Sequence, residues 1–266
     1  MTKVRGCTPG LSGTAAVQRH LWEIGFPCPQ PLAGPDELAG FCISAETLVV
    51  GDSPVRVGPQ VAQLHASALA ELIRSAPPVD SVPPLLPPPA WAHWDHTEAG
   101  LWARIDGTDI DLNLEPDPPW LSDTARRVRA RLASLGDPCV VGHADWWSQN
   151  LRWVGQRLHV VYDWDSVTAQ PEAILAGEAA YMFAKTDFEL DGCAPGANVQ
   201  LTEQFLVAYE NARGRRWTID QREAAWAAGL WIAAFNARVS RFEARGEGFA
   251  ELVHSDAEER LRRGGA

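Results

Sequence analysis

The feature that most constrains the fold is a predicted β-hairpin at residues 151–162, with polar residues just before and just after it. Gly155 and Gln156 suit a two-residue turn, and the flanking segments Leu151–Val154 and Arg157–Tyr162 are rich in strand-forming residues. Because a hairpin brings its two ends together, residues that are distant in sequence become neighbours. A single short stretch can therefore build a polar site.

The pairing of this hairpin sets the positions of two candidate metal ligands. If Val154 pairs with Arg157, Asn150 lies opposite Val161 and one diagonal step from Asp163. Alternate residues of a strand share a face, so we expect the side chains of Asn150 and Asp163 to lie roughly 7 Å apart or less. A carboxylate and an amide oxygen at an open site suit Mg²⁺, which keeps several waters and takes phosphate oxygens as its other ligands.

Asp145 and His143 precede the hairpin, in the loop that enters it. The Asp145 carboxylate can lie beside a metal held by Asn150 and Asp163 without binding it. Phosphoryl transfer needs such a carboxylate, which orients an acceptor hydroxyl and takes its proton. His143 is better placed to hold the loop by hydrogen bonds than to donate protons.

This pattern resembles that of the aminoglycoside phosphotransferase and choline kinase family. Its members carry a histidine, one residue, an aspartate, four residues and an asparagine, and then a hairpin that ends in an isoleucine-aspartate-tryptophan type segment. The matching residues here are His143, Asp145, Asn150 and the segment Asp163–Asp165. The resemblance implies that Asp145 is the catalytic base and that Asn150 and Asp163 hold Mg²⁺. It further implies ATP as the phosphate donor and the hydroxyl group of a small molecule as the acceptor.

The resemblance also implies an α+β, protein-kinase-like fold of two lobes. An incomplete, β-rich N-terminal lobe and the hinge would occupy residues 1–56. A mostly helical C-terminal lobe carrying the catalytic hairpin would occupy residues 57–266. The segment Ser44–Gly51 is similar to the interlobe hinge of the family, so adenine is expected beside Glu46 and Leu48.

The N-terminal lobe departs from the family pattern. The phosphate-covering loop is absent, and we choose Arg5 over Lys3 as the phosphate-binding cation because Arg5 directly precedes the turn into the first helix. The helix acid of the family should fall near Thr14, where no acid stands, and Glu23 lies one turn too late. Either the chain begins inside a longer kinase, which we favour, or half of the small lobe has been lost.

Two residues are assigned to the substrate side of the site. Trp147 is placed to wall a substrate pocket, since an indole supplies flat apolar area with one donor. Asp165 supports either a second cation or the loop backbone, and a structural role is equally open. Acids that follow the hairpin would suit a cationic acceptor, but such runs are typical of solvated faces: Glu178, Asp187, Glu189 and Asp191. The acceptor is therefore not identified.

Two other functions stay open. A non-catalytic binding module would keep the fold and the pocket, and the missing loop and helix acid favour it. A metal-dependent phosphohydrolase would use the same ligands on water.

Periodicity and end signals predict the remaining elements. Strands are expected at residues 2–5 and 41–50, and helices at 14–24, 57–73, 122–135, 201–213 and 219–245. A proline-rich connector is expected at 75–90. Alternation of Ile110, Leu112 and Leu114 indicates an edge strand, and His93 and His96 are interpreted as solvated loop histidines.

Net charge and composition limit the classes of binding partner and the cellular location expected for this chain. The 34 acidic and 23 basic residues give a formal charge of −11, which opposes binding to nucleic acid or to an anionic membrane. The longest apolar stretch free of charge, 224–237, is too short to cross a bilayer, and we expect a cytoplasmic location. The five scattered cysteines are odd in number, so they are interpreted as buried apolar groups rather than as disulfides or metal ligands.

Overall fold

The computed structural model describes residues 1–50, 59–105, 107–114, 116–185, 198–242 and 247–266. The predicted boundary between lobes, at residues 56 and 57, lies outside them. The small lobe contains strand β1 (Thr2–Gly6), helix α1 (Leu11–Glu23) and strands β2 (Pro31–Leu38) and β3 (Phe41–Glu46).

The three strands of the small lobe form an antiparallel sheet in the order β1-β3-β2. Lys3 pairs with Ser44 and Arg5 with Cys42. Residues two apart on a strand share a face, so both basic side chains point to the partly buried side of the sheet, while Thr2 and Val4 are exposed. The sheet thus presents two neighbouring cations on one face.

Helix α1 is held close to the proline-rich connector. Gly10, just before the helix, has a φ of 108°, and a Cβ at this position would lie 2.5 Å from the backbone nitrogen of Leu86. Only glycine combines this conformation with such a close approach of backbone. The helix ends near Gly25, which also has a positive φ.

The large lobe is mostly helical. Its helices are α2 (Pro59–Ser75), α3 (Pro119–Ala133), α4 (Glu172–Lys185), α5 (Val199–Arg213), α6 (Ile219–Ser240) and α7 (Glu247–Gly264). Two antiparallel strand pairs flank the loop that contains Asp145: β4 (Cys139–His143) with β7 (Val167–Pro171), and β5 (Leu151–Val154) with β6 (Arg157–Val161). No helix in these described ranges is long and apolar enough to cross a membrane.

Helix α4 forms the centre of the large lobe. Every residue from Glu172 to Ala184 is buried. The helix crosses α6 so closely that a Cβ on Gly177 would overlap the carbonyl oxygen of Ala225. At its start the buried Glu172 carboxylate accepts hydrogen bonds from Tyr209 and Arg213, which ties α4 to the end of α5.

Several predicted elements differ from the observed ones. The strand expected to reach Val50 ends at Glu46, and the helix expected to reach Arg245 ends at Ser240. The segment around Leu112 is a turn rather than an edge strand, because Leu112 is buried under Arg238, whose guanidinium donates to its carbonyl oxygen at 2.6 and 2.8 Å. Strands β2, β4 and β7 and helices α4 and α7 were not predicted.

Two predictions about individual side chains were wrong. Cys7 and Cys42 form a disulfide between the end of β1 and the start of β3, Cys139 is exposed, and Cys28 alone of the described cysteines is a buried free thiol. Cys193 lies outside the described residues. His96 is buried rather than solvated, because its Nε2 is hydrogen-bonded to the carbonyl oxygen of Leu101 at 3.1 Å.

Candidate active site

His143 fixes the loop that leads into the hairpin. It is the last residue of β4 and is fully buried, with its ring edge-on to Trp146 and Trp164 at centroid distances of 6.0 Å each. The backbone N–H of Asp145 donates to Nδ1 at 3.2 Å, so Nε2 carries the proton and donates to the carbonyl oxygen of Tyr162 at 3.0 Å. The imidazole therefore ties the loop to the far strand of the hairpin.

The side chain of Asn150 positions Asp145. Its Nδ2 donates to Oδ2 of Asp145 at 2.8 Å and to the Asp145 carbonyl oxygen at 3.0 Å. These two bonds use both amide hydrogens, which leaves Oδ1 of Asn150 as an oxygen ligand. Burial raises the pKa of Asp145, and the charge of Asp163 acts in the same direction; the hydrogen bond from Asn150 and the charge of Lys185 oppose the rise.

The hairpin register differs from the predicted one. Val154 pairs with Arg157 as expected, but a bulge between Arg152 and Trp153 shifts the rest, so Leu151 lies opposite Val161. Asn150 then faces Tyr162, whose N–H donates to the Asn150 carbonyl oxygen at 2.8 Å, rather than Val161. Such bulges insert one extra residue into one strand of a pair.

Asp163 reaches the site through its backbone conformation. It lies beyond the end of β6 with φ 59° and ψ 51°, in the left-handed region that non-glycine residues rarely adopt. Strand alternation therefore does not set its direction, and the shared strand face with Asn150 that the sequence predicts does not apply to Asp163. Asn150 and Asp163 nevertheless both act on Asp145, the first by a hydrogen bond and the second by its charge.

The oxygen donors present fit a magnesium ion. Oδ1 of Asn150 is left over from the bonds to Asp145, and within the described residues the exposed carboxylate of Asp163 accepts one weak hydrogen bond, from the Ser166 hydroxyl at 3.4 Å. Mg²⁺ is bound through one or two protein oxygens together with waters and phosphate. Among the described residues there is no cluster of three or more histidine, cysteine, aspartate and glutamate side chains, which a protein-only metal cage would need.

Asp165 connects the hairpin to the small lobe. Its carboxylate forms an ion pair with the Arg5 guanidinium and lies 3.8 Å from Nζ of Lys3. Arg5 also donates to the Ser44 hydroxyl at 2.9 Å. The sequence predicts a second cation or the loop backbone as the partner of Asp165; the structure instead pairs Asp165 with two basic side chains of the small lobe, Arg5 and Lys3.

The hinge region is anchored to the hairpin after β3 ends. The Tyr162 hydroxyl donates to the carbonyl oxygen of Val49 at 2.6 Å, and Nε2 of His159 lies 3.2 Å from that of Val50. Leu48, the other residue predicted to lie beside adenine, is 71% exposed. The Glu46 side chain turns inward, where it meets Lys3 and Gln18.

Other residues complete the surroundings. Trp147 is half-buried, and its backbone N–H donates a hydrogen bond to the Asp145 carbonyl oxygen at 2.8 Å. Lys185, at the end of α4, is a cation near Asp145 that sequence reasoning missed because α4 itself was not predicted. Glu178 is buried within α4 rather than solvated, and burial raises its pKa well above the usual value. Asp187, Glu189 and Asp191 lie outside the described residues.

A small sheet with one packed helix, a hinge, and a helical lobe with a polar loop before a hairpin define a protein-kinase-like fold. Solved structures share it: an amicoumacin kinase in complex with AMP-PNP, Ca²⁺ and Ami has a TM-score of 0.62 at 12% identity, covering 98% of this chain and 81% of that one. An aminoglycoside phosphotransferase from Alicyclobacillus acidocaldarius has a TM-score of 0.55 at 13% identity, covering 99% of this chain and 83% of that one. A choline/ethanolamine kinase family protein from Mesorhizobium loti has a TM-score of 0.51 at 14% identity, covering 99% of this chain and 80% of that one.

The sequence itself places the chain in a family. The model of the phosphotransferase enzyme family matches residues 9–174, which include α1, the loop at Asp145 and the hairpin. The chain belongs to this family. No curated protein matches it in a comparison of sequences.

Proposed function

We propose that this protein is an ATP- and Mg²⁺-dependent phosphotransferase that acts on a hydroxyl group of a small molecule. The observation that carries the proposal is the placement of Asp145. Its carboxylate is oriented by the Asn150 amide and lies near the Asp163 charge. A base beside two oxygen ligands is the arrangement that phosphoryl transfer requires.

Each residue of the proposed site has its own role in the reaction. Asp145 orients the acceptor hydroxyl and accepts its proton as the oxygen attacks the terminal phosphorus of ATP; the bond from that phosphorus to the bridging oxygen breaks, and ADP leaves. Asn150 and Asp163 would hold Mg²⁺, which when bound supplies positive charge that neutralises the donor phosphates. His143 keeps the loop in place through its bonds to Asp145 and Tyr162. Lys3 and Arg5 supply positive charge from the small lobe.

Similar structures support the nucleotide and the acceptor class. One was solved with AMP-PNP, Ca²⁺ and Ami, and another, a thermostable variant of an aminoglycoside phosphotransferase, with ADP and hygromycin B. From these complexes we infer that this protein uses a nucleotide as the phosphate donor and a small hydroxylated molecule as the acceptor. A cytoplasmic enzyme without nucleic-acid or membrane partners is consistent with the net charge of −11.

One observation favours a non-catalytic binding module as the second candidate. Arg5, predicted to bind phosphate, forms an ion pair with Asp165, which neutralises its charge. In a module of this kind nucleotide would bind weakly or not at all, and any acceptor-like ligand would bind without reacting.

A transfer assay separates the candidate functions. The protein is incubated with Mg²⁺ and ATP labelled at the terminal phosphate, with a panel of aminoglycosides, choline and ethanolamine as acceptors. We expect label on at least one acceptor, and loss of that transfer in Asp145→Asn. Phosphate release that is equal with and without acceptors would indicate a phosphohydrolase, and absence of both transfer and release across the panel would favour the binding module.

A further inference from the structure

Glu46 is a buried acid in the small lobe whose side chain is directed at a lysine. It is the last residue of β3, and 7% of its surface is exposed. Its Oε1 lies 3.6 Å from Nζ of Lys3, and its Oε2 accepts a hydrogen bond of 3.1 Å from Nε2 of Gln18. A buried carboxylate of this kind requires a charge partner, and among the described residues Lys3 is the cation within 4 Å of it.

Helix α1 provides hydrogen bonding but no negative charge at this place. Gln18 lies on its buried face, and the same Nε2 also donates to the carbonyl oxygen of Pro29 at 3.0 Å. Glu23, the only acid of α1, is exposed at the end of the helix. The nearby Cys28 thiol stays neutral, because burial raises its pKa to about 12 and the charge of Glu46 adds to the effect.

Lys3 is held between two acids that come from different parts of the fold. Glu46 lies on one side of its ammonium group, within the small lobe, and Asp165, next to the catalytic hairpin, lies 3.8 Å away on the other. Asp165 is also shared with Arg5. An anionic group that binds at the hairpin would compete with Asp165 for Lys3, but the ion pair between Lys3 and the buried Glu46 would remain.

We propose that Glu46 is a positioning residue that holds Lys3 at the mouth of the nucleotide site, so that its ammonium group can bind donor phosphate. The negative charge for this purpose comes from the end of β3, and α1 contributes only the neutral amide of Gln18. This inference rests on the proposed phosphotransferase function. It gives Glu46 a role through its carboxylate, distinct from the adenine contact that the sequence suggested for this position.

The test compares single substitutions with a relocation of the charge. Glu46→Gln should raise the KM for ATP about tenfold, a coupling of the size usual for residues in direct contact, because the ion pair that positions Lys3 is lost; the change in kcat should be smaller. Glu23→Gln, which changes the net charge equally at an exposed site, should match the wild type. The double variant Gln18→Glu/Glu46→Gln returns a carboxylate to within one side-chain length of Lys3 and should recover most of the affinity.

A second pair of variants checks that Lys3 is the group acted on. Lys3→Met should raise the KM for ATP, and Lys3→Met/Glu46→Gln should be no worse than Lys3→Met alone, because neither charge is then left unpaired. The Lys3→Met/Glu46→Gln variant also keeps the test valid if Glu46→Gln fails to fold. Independent effects that add in Lys3→Met/Glu46→Gln, or a Glu46→Gln protein that behaves like Glu23→Gln, would overturn the inference. A wild-type protein without transfer activity would instead contradict the proposed function.

Discussion

Asn150 and Asp145 are joined by two hydrogen bonds from one amide nitrogen, at 2.8 Å to the Asp145 carboxylate and at 3.0 Å to its carbonyl oxygen. In the proposed site, the nitrogen therefore orients the base, and the oxygen of the same amide is left to bind the metal. One side chain thus has two separable roles in the proposed site.

Replacing the amide by a carboxylate separates these roles. Asn150→Asp keeps an oxygen ligand for Mg²⁺ but removes both donors and places a second negative charge beside Asp145. We expect kcat to fall by roughly 10²–10³, the usual contribution of a positioned base, while the Mg²⁺ concentration needed for half-maximal rate changes less. Asn150→Ala should impair both quantities. Steady-state kinetics at varied Mg²⁺ measure them, and an Asn150→Asp enzyme with the wild-type kcat would contradict the positioning role.

His65 makes the stability of the protein dependent on pH. Its ring is fully buried between Trp153 and Phe183, each at a centroid distance of 5.2 Å, and within the described ranges neither ring nitrogen has a hydrogen-bond partner. Burial lowers the pKa of His65 to about 3. In the unfolded chain this histidine binds a proton near pH 6.5. Above that pH it therefore does not lower the free energy of unfolding, and as the pH drops from 6.5 toward 3 the free energy of unfolding falls.

His65→Phe should remove this dependence. Between pH 8 and pH 5 the wild type should lose about 2 kcal/mol of unfolding free energy through His65, a loss the phenylalanine variant should not show. Urea unfolding at the two pH values measures the difference. The exposed His254 provides a control, since His254→Gln should keep the wild-type dependence. Equal pH dependence in His65→Phe and wild type would show that this histidine is not neutral in the folded state.

The close crossing of α4 and α6 predicts a large effect of one methyl group. Gly177→Ala should destabilise the fold by about 3 kcal/mol, because the new Cβ overlaps the carbonyl oxygen of Ala225 and backbone must move. Gly136 has open space around a Cβ and no positive φ, so Gly136→Ala should change the free energy of unfolding by less than about 1 kcal/mol. Thermal or urea unfolding of both variants tests the pair, and equal effects would argue against the tight crossing.

The hairpin and the polar loop before it could be predicted from the sequence because their signals are local. The turn at Gly155 and Gln156 and the spacing of His143, Asp145 and Asn150 lie within one short segment. The bulge at Arg152 was not readable, since alternation of residue types does not show where one strand gains a residue. The direction of Asp163 depends on a left-handed backbone conformation that its residue type rarely adopts.

Features that depend on distant contacts were missed. Helix α4 has no polar face, because it is buried on all sides, so it lacks the amphipathic period by which helices are recognised. Lys3 and Arg5 share one face of β1, and only the three-dimensional positions of Glu46 and Asp165 distinguish their roles. The Cys7–Cys42 pair joins residues 35 positions apart, a pairing that spacing alone does not predict.

The most direct test of the proposed site is calorimetric titration with AMP-PNP, in the presence and in the absence of Mg²⁺. We predict binding that requires Mg²⁺ and that is lost in Asp163→Ala, while Asp145→Asn, which removes the base but no metal ligand, still binds the nucleotide. Binding that is independent of Mg²⁺, or that persists unchanged in Asp163→Ala, would contradict the assignment of Asn150 and Asp163 as the metal ligands of a phosphotransferase.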